Sequence, residues 1–342
     1  MIEARHLRVL RAVSRTGSYS AAARDLGCTQ PAVSQQMKAL EKSVETPLVV
    51  RSGRGMQLTE AGQALLKHAN TILAGLTAAE EEVAAIAGLR AGRVRLVSFP
   101  TASSTLVPRA VAEMRASRPG VQVSLVEAEP PESLAMLRGG ECEVALAFRY
   151  PETERAARAV ASAVPAAAAE TGGHGSRREA RAEAALEAAA SAAANDWSDL
   201  VVRPLLDDAL VGLVPSGHPL AGRGPAEPVK LAELAGEQWI AGCPQCRGHL
   251  VELCAAAGFA PRIDFATDDY PAVVGLVAAG VGVAVLPGLA LESVRRTGVA
   301  VVPLTPRAAR EVVALTLPDL GEVPAVELML DRLAGAAAQR RG

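Results

Sequence analysis

Ser18-Tyr19-Ser20-Ala21-Ala22-Ala23-Arg24-Asp25-Leu26-Gly27-Cys28-Thr29-Gln30-Pro31-Ala32-Val33-Ser34-Gln35-Gln36-Met37-Lys38-Ala39-Leu40-Glu41 is the stretch on which the reading of this chain turns. Ser18 suits the N-cap of a short helix over Tyr19–Leu26, and the three alanines let another helix approach closely. Gly27 breaks that helix and Cys28-Thr29 form a turn. A second helix follows with Pro31 in its first turn, where the missing N–H costs nothing. Its apolar stripe is Val33, Met37, Leu40 and Val44. The opposite face offers Gln30, Ser34, Gln35 and Lys38, side chains that reach base edges or phosphates. Upstream, Ile2, Leu7, Leu10 and Val13 recur at helical spacing over residues 2–15 until Gly17 stops the helix. Two short helices on a tight turn, the second opening on polar residues, have helix-turn-helix geometry.

The next dozen residues strengthen that assignment. Thr46-Pro47-Leu48-Val49-Val50-Arg51 is extended, Ser52-Gly53-Arg54-Gly55 is a turn, and Met56-Gln57-Leu58 returns. Such a hairpin puts Arg51 and Arg54 at its tip, where a wing meets the phosphate backbone. Ala21-Ala22-Ala23, Leu26, Thr29 to Met37, Leu40-Glu41, Pro47-Leu48, Arg51 and Leu58-Thr59-Glu60-Ala61-Gly62 together resemble LysR-type transcriptional regulators. The resemblance implies that Gln30, Pro31, Ser34 and Gln35 lie in the major groove and that Arg51 and Arg54 touch the backbone. Ser18, Thr29 and Lys38 complete the candidate DNA-facing set. Two positions depart from the family pattern: Glu45 stands where a helix-terminating Gly is usual, and Val49 where a Phe is usual.

Charge supports a nucleic-acid partner. Residues 1–58 carry nine Lys or Arg against four Asp or Glu, whereas the whole chain of 342 residues is −2. A basic end on an acidic body is the electrostatic footprint expected for DNA. Half the residues are apolar but only 3% are aromatic, so the cores rest on Ala, Val and Leu. No apolar run approaches the roughly 18 residues of a membrane span, and the N-terminus lacks a signal-peptide pattern. Five cysteines, an odd count, argue for reduced thiols and a cytoplasmic location.

Thr59 can cap a long helix running from Glu60 to about Leu89. Leu65, Ala69, Ile72, Leu76, Ala79, Val83 and Ile86 alternate at spacings of four and three, a heptad seam. The expected consequence is a linker helix that pairs two copies on a two-fold symmetric site, as the resemblance also implies. A homodimer or homotetramer follows from it.

The remainder reads as α/β. Arg93–Ser98, Val121–Val126 and Glu143–Phe148 are strands, with a loop Phe99–Ser104, a helix Thr105–Ser117 and a helix near Pro131–Arg138 between them. A second set runs Ala209–Val214, Gln238–Ala241, Arg262–Thr267, a helix Tyr270–Ala279 and Val281–Leu286. Strand Arg310–Leu317 and a helix near Val323–Ala338 close the chain. Alternation with short turns implies a parallel sheet, and the doubling resembles the two lobes of a periplasmic-binding-protein fold. The expected organisation is therefore a winged helix-turn-helix over 1–59, a linker helix over 60–91 and an effector-binding domain over 92–342. Lobe I takes about 92–149 and 268–342, and lobe II about 200–267. An Ala-rich, low-complexity insertion occupies 151–199, with 19 Ala in 49 residues.

Ligands in open α/β sheets sit at the carboxyl ends of strands, against helix N-termini. That places a candidate effector site at Thr101, Ala102, Ser103 and Ser104, where simple helix capping is the alternative. The resemblance adds Pro130, Phe148, Gly242 and Cys243. The effector itself is an unidentified small molecule.

Cys243-Pro244-Gln245-Cys246, with His249 and Cys254 nearby, can be a redox pair, half of a metal site or core packing. Cys28 and Cys142 read as small buried residues. No GxSxG, HExxH, Walker or Rossmann signature is present, so neither an enzyme nor a cofactor is expected, and no metal ligands are assigned. The rival function is a small-ligand-binding or thiol/redox-sensing protein using Cys243 and Cys246. The preferred reading is a DNA-binding regulator of promoters, with RNA polymerase a further candidate partner and no membrane association.

Overall fold

The computed structural model describes residues 1–52, 55–86, 92–151 and 196–340. Three helices open the chain: α1 (Ala4–Thr16), α2 (Tyr19–Asp25) and α3 (Gln30–Val44). Leu7, Leu10, Val13, Val33, Met37 and Leu40 are buried, as helical periodicity requires, while Ile2 lies outside α1 and is 41% exposed. Gly17 ends α1 in the left-handed region at φ 66°. The Ser18 hydroxyl caps α2 by accepting from the Ala21 N–H at 3.1 Å. Strands β1 (Val49–Ser52) and β2 (Gly55–Leu58) pair antiparallel as the wing.

Helix α4 (Glu60–Ile86) begins at Thr59, whose hydroxyl accepts from the Gly62 N–H at 3.0 Å and donates to the Pro47 carbonyl at 2.8 Å. Much of the helix packs on its own chain. Ala69 and Leu73 bury against Leu7 of α1, and Ala74 joins the core of the body. The expected seam is therefore divided: Leu65 and Ala69 serve internal packing, while Ile72, Leu76, Ala79 and Val83 stay exposed. The Ile86 side chain lies outside those described.

The body continues with β3 (Arg93–Ser98), α5 (Pro100–Thr105), α6 (Val107–Ser117), β4 (Gln122–Glu127), α7 (Glu132–Arg138) and β5 (Val144–Arg149). Then come β6 (Val201–Pro215), β7 (Val229–Lys230), a 3-10 turn Leu231–Leu234, β8 (Gln238–Ala241), α8 (Pro244–Ala256) and β9 (Arg262–Ala266). The chain ends with α9 (Tyr270–Ala278), β10 (Ala284–Pro287), α10 (Gly288–Glu292), β11 (Val299–Thr305), β12 (Ala309–Thr316), α11 (Pro318–Gly321) and α12 (Pro324–Ala338). One sheet runs in the order β4-β3-β5-β12-β6-β11-β7, with β10 also on β6, and β8-β9 form a second.

Two expectations are corrected. The sheet is mixed: β3 is parallel to β4 and β5, but β12 pairs antiparallel with β5 and β6, and β6 antiparallel with β10 and β11. The returning strands enter the first half from the second, which reverses their direction. Nor does the chain re-enter lobe I near residue 268. Val273, Val274 and Val277 of α9 bury with Leu213, Ile240 and Leu286, and β10 pairs with Leu210–Leu213 of β6. The chain returns to the sheet of lobe I only at β12; α9, β10 and β11 pack with lobe II, while Leu289 of α10 buries in the lobe I core.

Strand β6 crosses between the halves. Val201–Ala209 pairs with β12 in lobe I, and Leu210–Pro215 pairs with β10 and β11 in lobe II. Lobe I closes over Phe99, Leu106, Met114, Phe148 and the α12 residues Val326, Met329 and Leu333. Of the expected 151–199 insertion, residues 152–195 lie outside those described, and Trp197 just after them is buried under the Arg149 guanidinium.

Candidate nucleic-acid interface and ligand cleft

The helix-turn-helix is held to its wing by backbone geometry. Met56 N–H donates to the Gly17 carbonyl at 2.8 Å, and a Cβ on Gly55 would lie 2.7 Å from the same oxygen. That contact leaves no room for a side chain at Gly55. The Glu41 carboxylate accepts from the Leu48 N–H at 2.9 Å and from the Val49 N–H at 3.4 Å, tying the wing to α3. Glu45 ends α3 at φ 53°, the only described non-glycine residue with positive φ. The family pattern's glycine position is therefore a left-handed cap here too, filled by a residue with a Cβ.

On this frame Thr29, Gln30, Pro31, Gln35 and Lys38 are exposed along the N-terminal part of α3, and Ser34 is half-buried among them. They share one outward face. Arg51 is exposed on the wing, whereas Arg54 lies outside the described residues. Ser18 is already engaged as the α2 cap. Cys28, expected to be buried, is exposed in the turn, because a residue between two helix ends has no facing layer.

The module also rests on the body. Arg15 of α1 pairs with Asp25 and, at 3.4 Å, with Glu141 after α7. Arg11 lies against Gly140, where burial first and the nearby Arg95 second lower its pKa.

The second candidate site lies where β3, β5, β6 and β12 meet α8. Thr101 to Ser104 do not form a loop; they belong to α5, which starts at Pro100 in a position that suits proline. Thr101, Ala102 and Ser103 are buried and Ser104 is exposed. Arg310 of β12 is 1% exposed and organises the site. Its Nη2 donates to the Thr101 hydroxyl at 2.7 Å, and Nε and Nη2 donate to Asp208 Oδ2 at 3.0 and 2.9 Å. Its guanidinium carbon lies 5.0 Å from the Phe99 ring centre and 4.6 Å from that of Phe148. The other Asp208 oxygen accepts from the Leu289 N–H at 3.0 Å. Burial opposes the charge on Arg310, yet Asp208, then Tyr150 and Tyr270, hold its pKa above the ordinary value.

Across the cleft, Tyr150 stacks on His249 of α8 at 3.8 Å and donates from its hydroxyl to Cys246 Sγ at 3.5 Å. Cys243 is the N-cap of α8, and its thiol donates to Cys246 Sγ at 2.9 Å. That hydrogen bond, helped by Arg310, lowers the pKa of Cys246 against its burial; the same bond and burial raise Cys243. Glu129, beside buried Pro130, has an oxygen without a hydrogen-bond partner, and burial pushes its carboxyl up to about 7. Burial likewise raises Tyr270. The space bounded by Tyr150, Gly242, Cys246, His249 and Tyr270 is a cavity of about 20 Å³. Among the described residues no three His, Cys, Asp or Glu converge as metal ligands.

Of the residues expected from sequence, Gly242 lines this cavity, while Thr101 and Phe148 are buried against Arg310 and Cys243 is buried beside Cys246. Arg310, Asp208, Glu129 and Tyr150 were missed. A charge inside the apolar strands at 208 and at 310 is a signal in the sequence, but the pairing spans 102 residues and no local pattern carries it.

Residues 4–63 match the family described as bacterial regulatory helix-turn-helix protein, lysR family, and residues 87–172 and 168–338 match the LysR substrate binding domain. The HTH-type transcriptional regulator CbbR of Rhodospirillum rubrum is 39% identical over 178 residues, 51% of this chain and 59% of that protein. The match therefore spans little more than half the length of this relative. The probable HTH-type transcriptional regulator LrrA of Synechococcus elongatus is 27% identical over 346 residues, covering 98% of this chain and 97% of that protein. Among solved structures, a full-length OxyR variant from Pseudomonas aeruginosa has a TM-score of 0.66 at 18% identity, covering 99% of this chain and 97% of that one. The last likeness is one of fold.

Proposed function

The chain belongs to the LysR family, and from that premise we propose that it is a transcriptional regulator whose hold on promoter DNA is set by a small molecule in the cleft between its lobes. The observation that carries the DNA reading is the outward face of α3, where Gln30, Pro31, Gln35 and Lys38 stand exposed beside a wing fixed by Glu41 and Gly17. A helix presenting amides from its first turns suits adenine edges in the major groove, and Arg51 suits the backbone. Arg54 joins Arg51 in this reading.

In this division residues 1–59 read DNA, residues 60–91 pair two copies, and residues 92–342 sense the effector. The exposed Ile72, Leu76, Ala79 and Val83 of α4 support a dimer through that helix. No described helix is long and apolar enough to cross a membrane; in this reading the protein acts on DNA in the cytoplasm. RNA polymerase is a further partner in this reading.

Arg310, Thr101 and Asp208 form the floor of the proposed effector site, with Ala102, Ser103, Ser104 and Pro130 around it. Thr101 already accepts from Arg310, so its part is to hold the guanidinium. The cavity of about 20 Å³ has room for one water-sized molecule, so a larger effector enters only as the lobes separate. Binding then shifts DNA affinity by the difference in effector affinity between the two lobe arrangements.

Selection of the purified protein on randomised duplex DNA at two salt concentrations tests the reading. An interrupted palindrome with half-sites about one helical turn apart is expected. Salt-sensitive binding without an enriched site would overturn it. In the same assay Gln30→Ala should relax base preference, costing about 1–3 kcal/mol on the best site.

A further inference from the structure

The two cysteines at the head of α8 are not used by the DNA reading, and their arrangement has its own chemistry. Cys243 and Cys246 occupy the N-cap and the third helical position, and their sulfurs lie 2.9 Å apart. Cys246 receives hydrogen bonds from the Cys243 thiol and the Tyr150 hydroxyl and is half-buried against the small cavity; Cys243 is 5% exposed. Three donors or charges thus favour a thiolate on Cys246: the Cys243 thiol, the Tyr150 hydroxyl and the Arg310 guanidinium. Burial and the Asp268 carboxylate act against that charge, and Glu129, His249 and Tyr270 are the other titratable groups around the sulfur. A sulfur that accepts two hydrogen bonds, one of them from a second thiol 2.9 Å away, and that borders a small cavity is an environment in which a cysteine is oxidised and then resolved.

We propose that Cys246 and Cys243 form a reversible thiol–disulfide site for small hydroperoxides, with Cys246 attacking and Cys243 resolving. The cavity beside Cys246, about 20 Å³, gives the smallest oxidants the shortest approach to the sulfur and excludes bulky ones such as glutathione disulfide. The Cys246 thiolate attacks the near peroxide oxygen; an S–O bond forms, the O–O bond breaks, and the alkoxide or hydroxide leaves and takes up a proton from solvent. Cys243 sulfur then attacks the Cys246 sulfenic acid. The S–S bond forms, the S–O bond breaks, and the departing hydroxide takes the Cys243 proton as water. Two thiols lose two electrons and the hydroperoxide becomes an alcohol, or water, plus water. The disulfide draws Cys246 away from Tyr150, and so alters the contact between the residue after β5 and α8 at the proposed effector cleft. This last consequence rests on the effector reading above; the disulfide itself does not.

The test uses the reduced full-length protein, hydrogen peroxide and thiol alkylation read by intact mass and peptide mapping. Two of the five alkylatable thiols should be lost together, map to Cys243 and Cys246, and return with dithiothreitol. Cys246→Ser should abolish the paired loss. Cys243→Ser, with Cys243→Ala as a second variant, should stop at a sulfenic acid on Cys246 that dimedone traps. Thermal melts of each variant show whether it folds. The proposal is overturned if both thiols stay alkylatable while exposed Cys28 is consumed, if dimedone labels Cys243, or if glutathione disulfide forms the bond faster than peroxide. Because the readout is covalent state and not DNA binding, failure here and failure of the regulator reading are separable.

Discussion

Arg310 shows what one side chain can control. Its charge is compensated by Asp208, its second role is to fix Thr101, and the rings of Phe99 and Phe148 cover its faces. Arg310→Met leaves Asp208 buried without its partner, so unfolding free energy should drop by about 3–5 kcal/mol. Denaturant titration checks this, and adding Asp208→Asn should restore part of the loss; no recovery would show that the pair is not the cause. Glu129 makes a separate prediction in pH. Its folded carboxyl titrates near 7 against an ordinary 4.5 because it is buried. Between those values the folded chain keeps a proton that the unfolded chain has released, so stability falls as pH rises through that window. Glu129→Gln should flatten this slope in melts taken across the window. The outward amides of α3 were legible in the sequence because a helical period separates them from Val33, Met37 and Leu40. Arg310 was not, since its partners come from elements far apart along the chain.

At the level of elements, the end of α3 carries a conformational cost. A residue with a Cβ in the left-handed region costs on the order of 1 kcal/mol relative to glycine. Glu45→Gly should therefore raise the unfolding free energy by about 1 kcal/mol, seen as a higher denaturation midpoint, while leaving DNA preference unchanged. A lower midpoint would mean that Glu45 makes a stabilising contact outweighing its strain. The Gly62 position beneath the wing works the other way, since a Cβ there would fall 2.1 Å from the Leu48 carbonyl. Strand β3 and most helices were legible from local pattern. Helix α5 was misread because Pro100-Thr101-Ala102-Ser103-Ser104 has the composition of a loop, and burial, not propensity, makes it helical. Only the second half of β6 was legible, because Arg203-Pro204 and Asp207-Asp208 interrupt its apolar alternation.

Across the whole molecule, α4 faces two ways. One side carries Ala69, Leu73 and Ala74 into the chain's own cores; the other leaves Ile72, Leu76 and Val83 open at 53%, 36% and 66% exposure. Leu76→Glu or Val83→Glu should shift sedimentation toward the monomer without changing the melt of the body, whereas Leu73→Glu should unfold the junction with α1. Retention of the dimer in both of the first two variants would place the interface elsewhere. The lobe boundary was the least legible feature at this scale, because α/β alternation looks alike in either lobe and only the partners of β10 and α9 decide. The chain passes from lobe I to lobe II within β6, and its pairing with β12 slips register at Val312/Val313. The strand itself is continuous through both halves, although its ladder with β12 is irregular at that point. Because this one strand belongs to both halves, any change in their relative placement has to pass through β6, and the Arg15–Glu141 pair ties the N-terminal module to the half that β6 enters first.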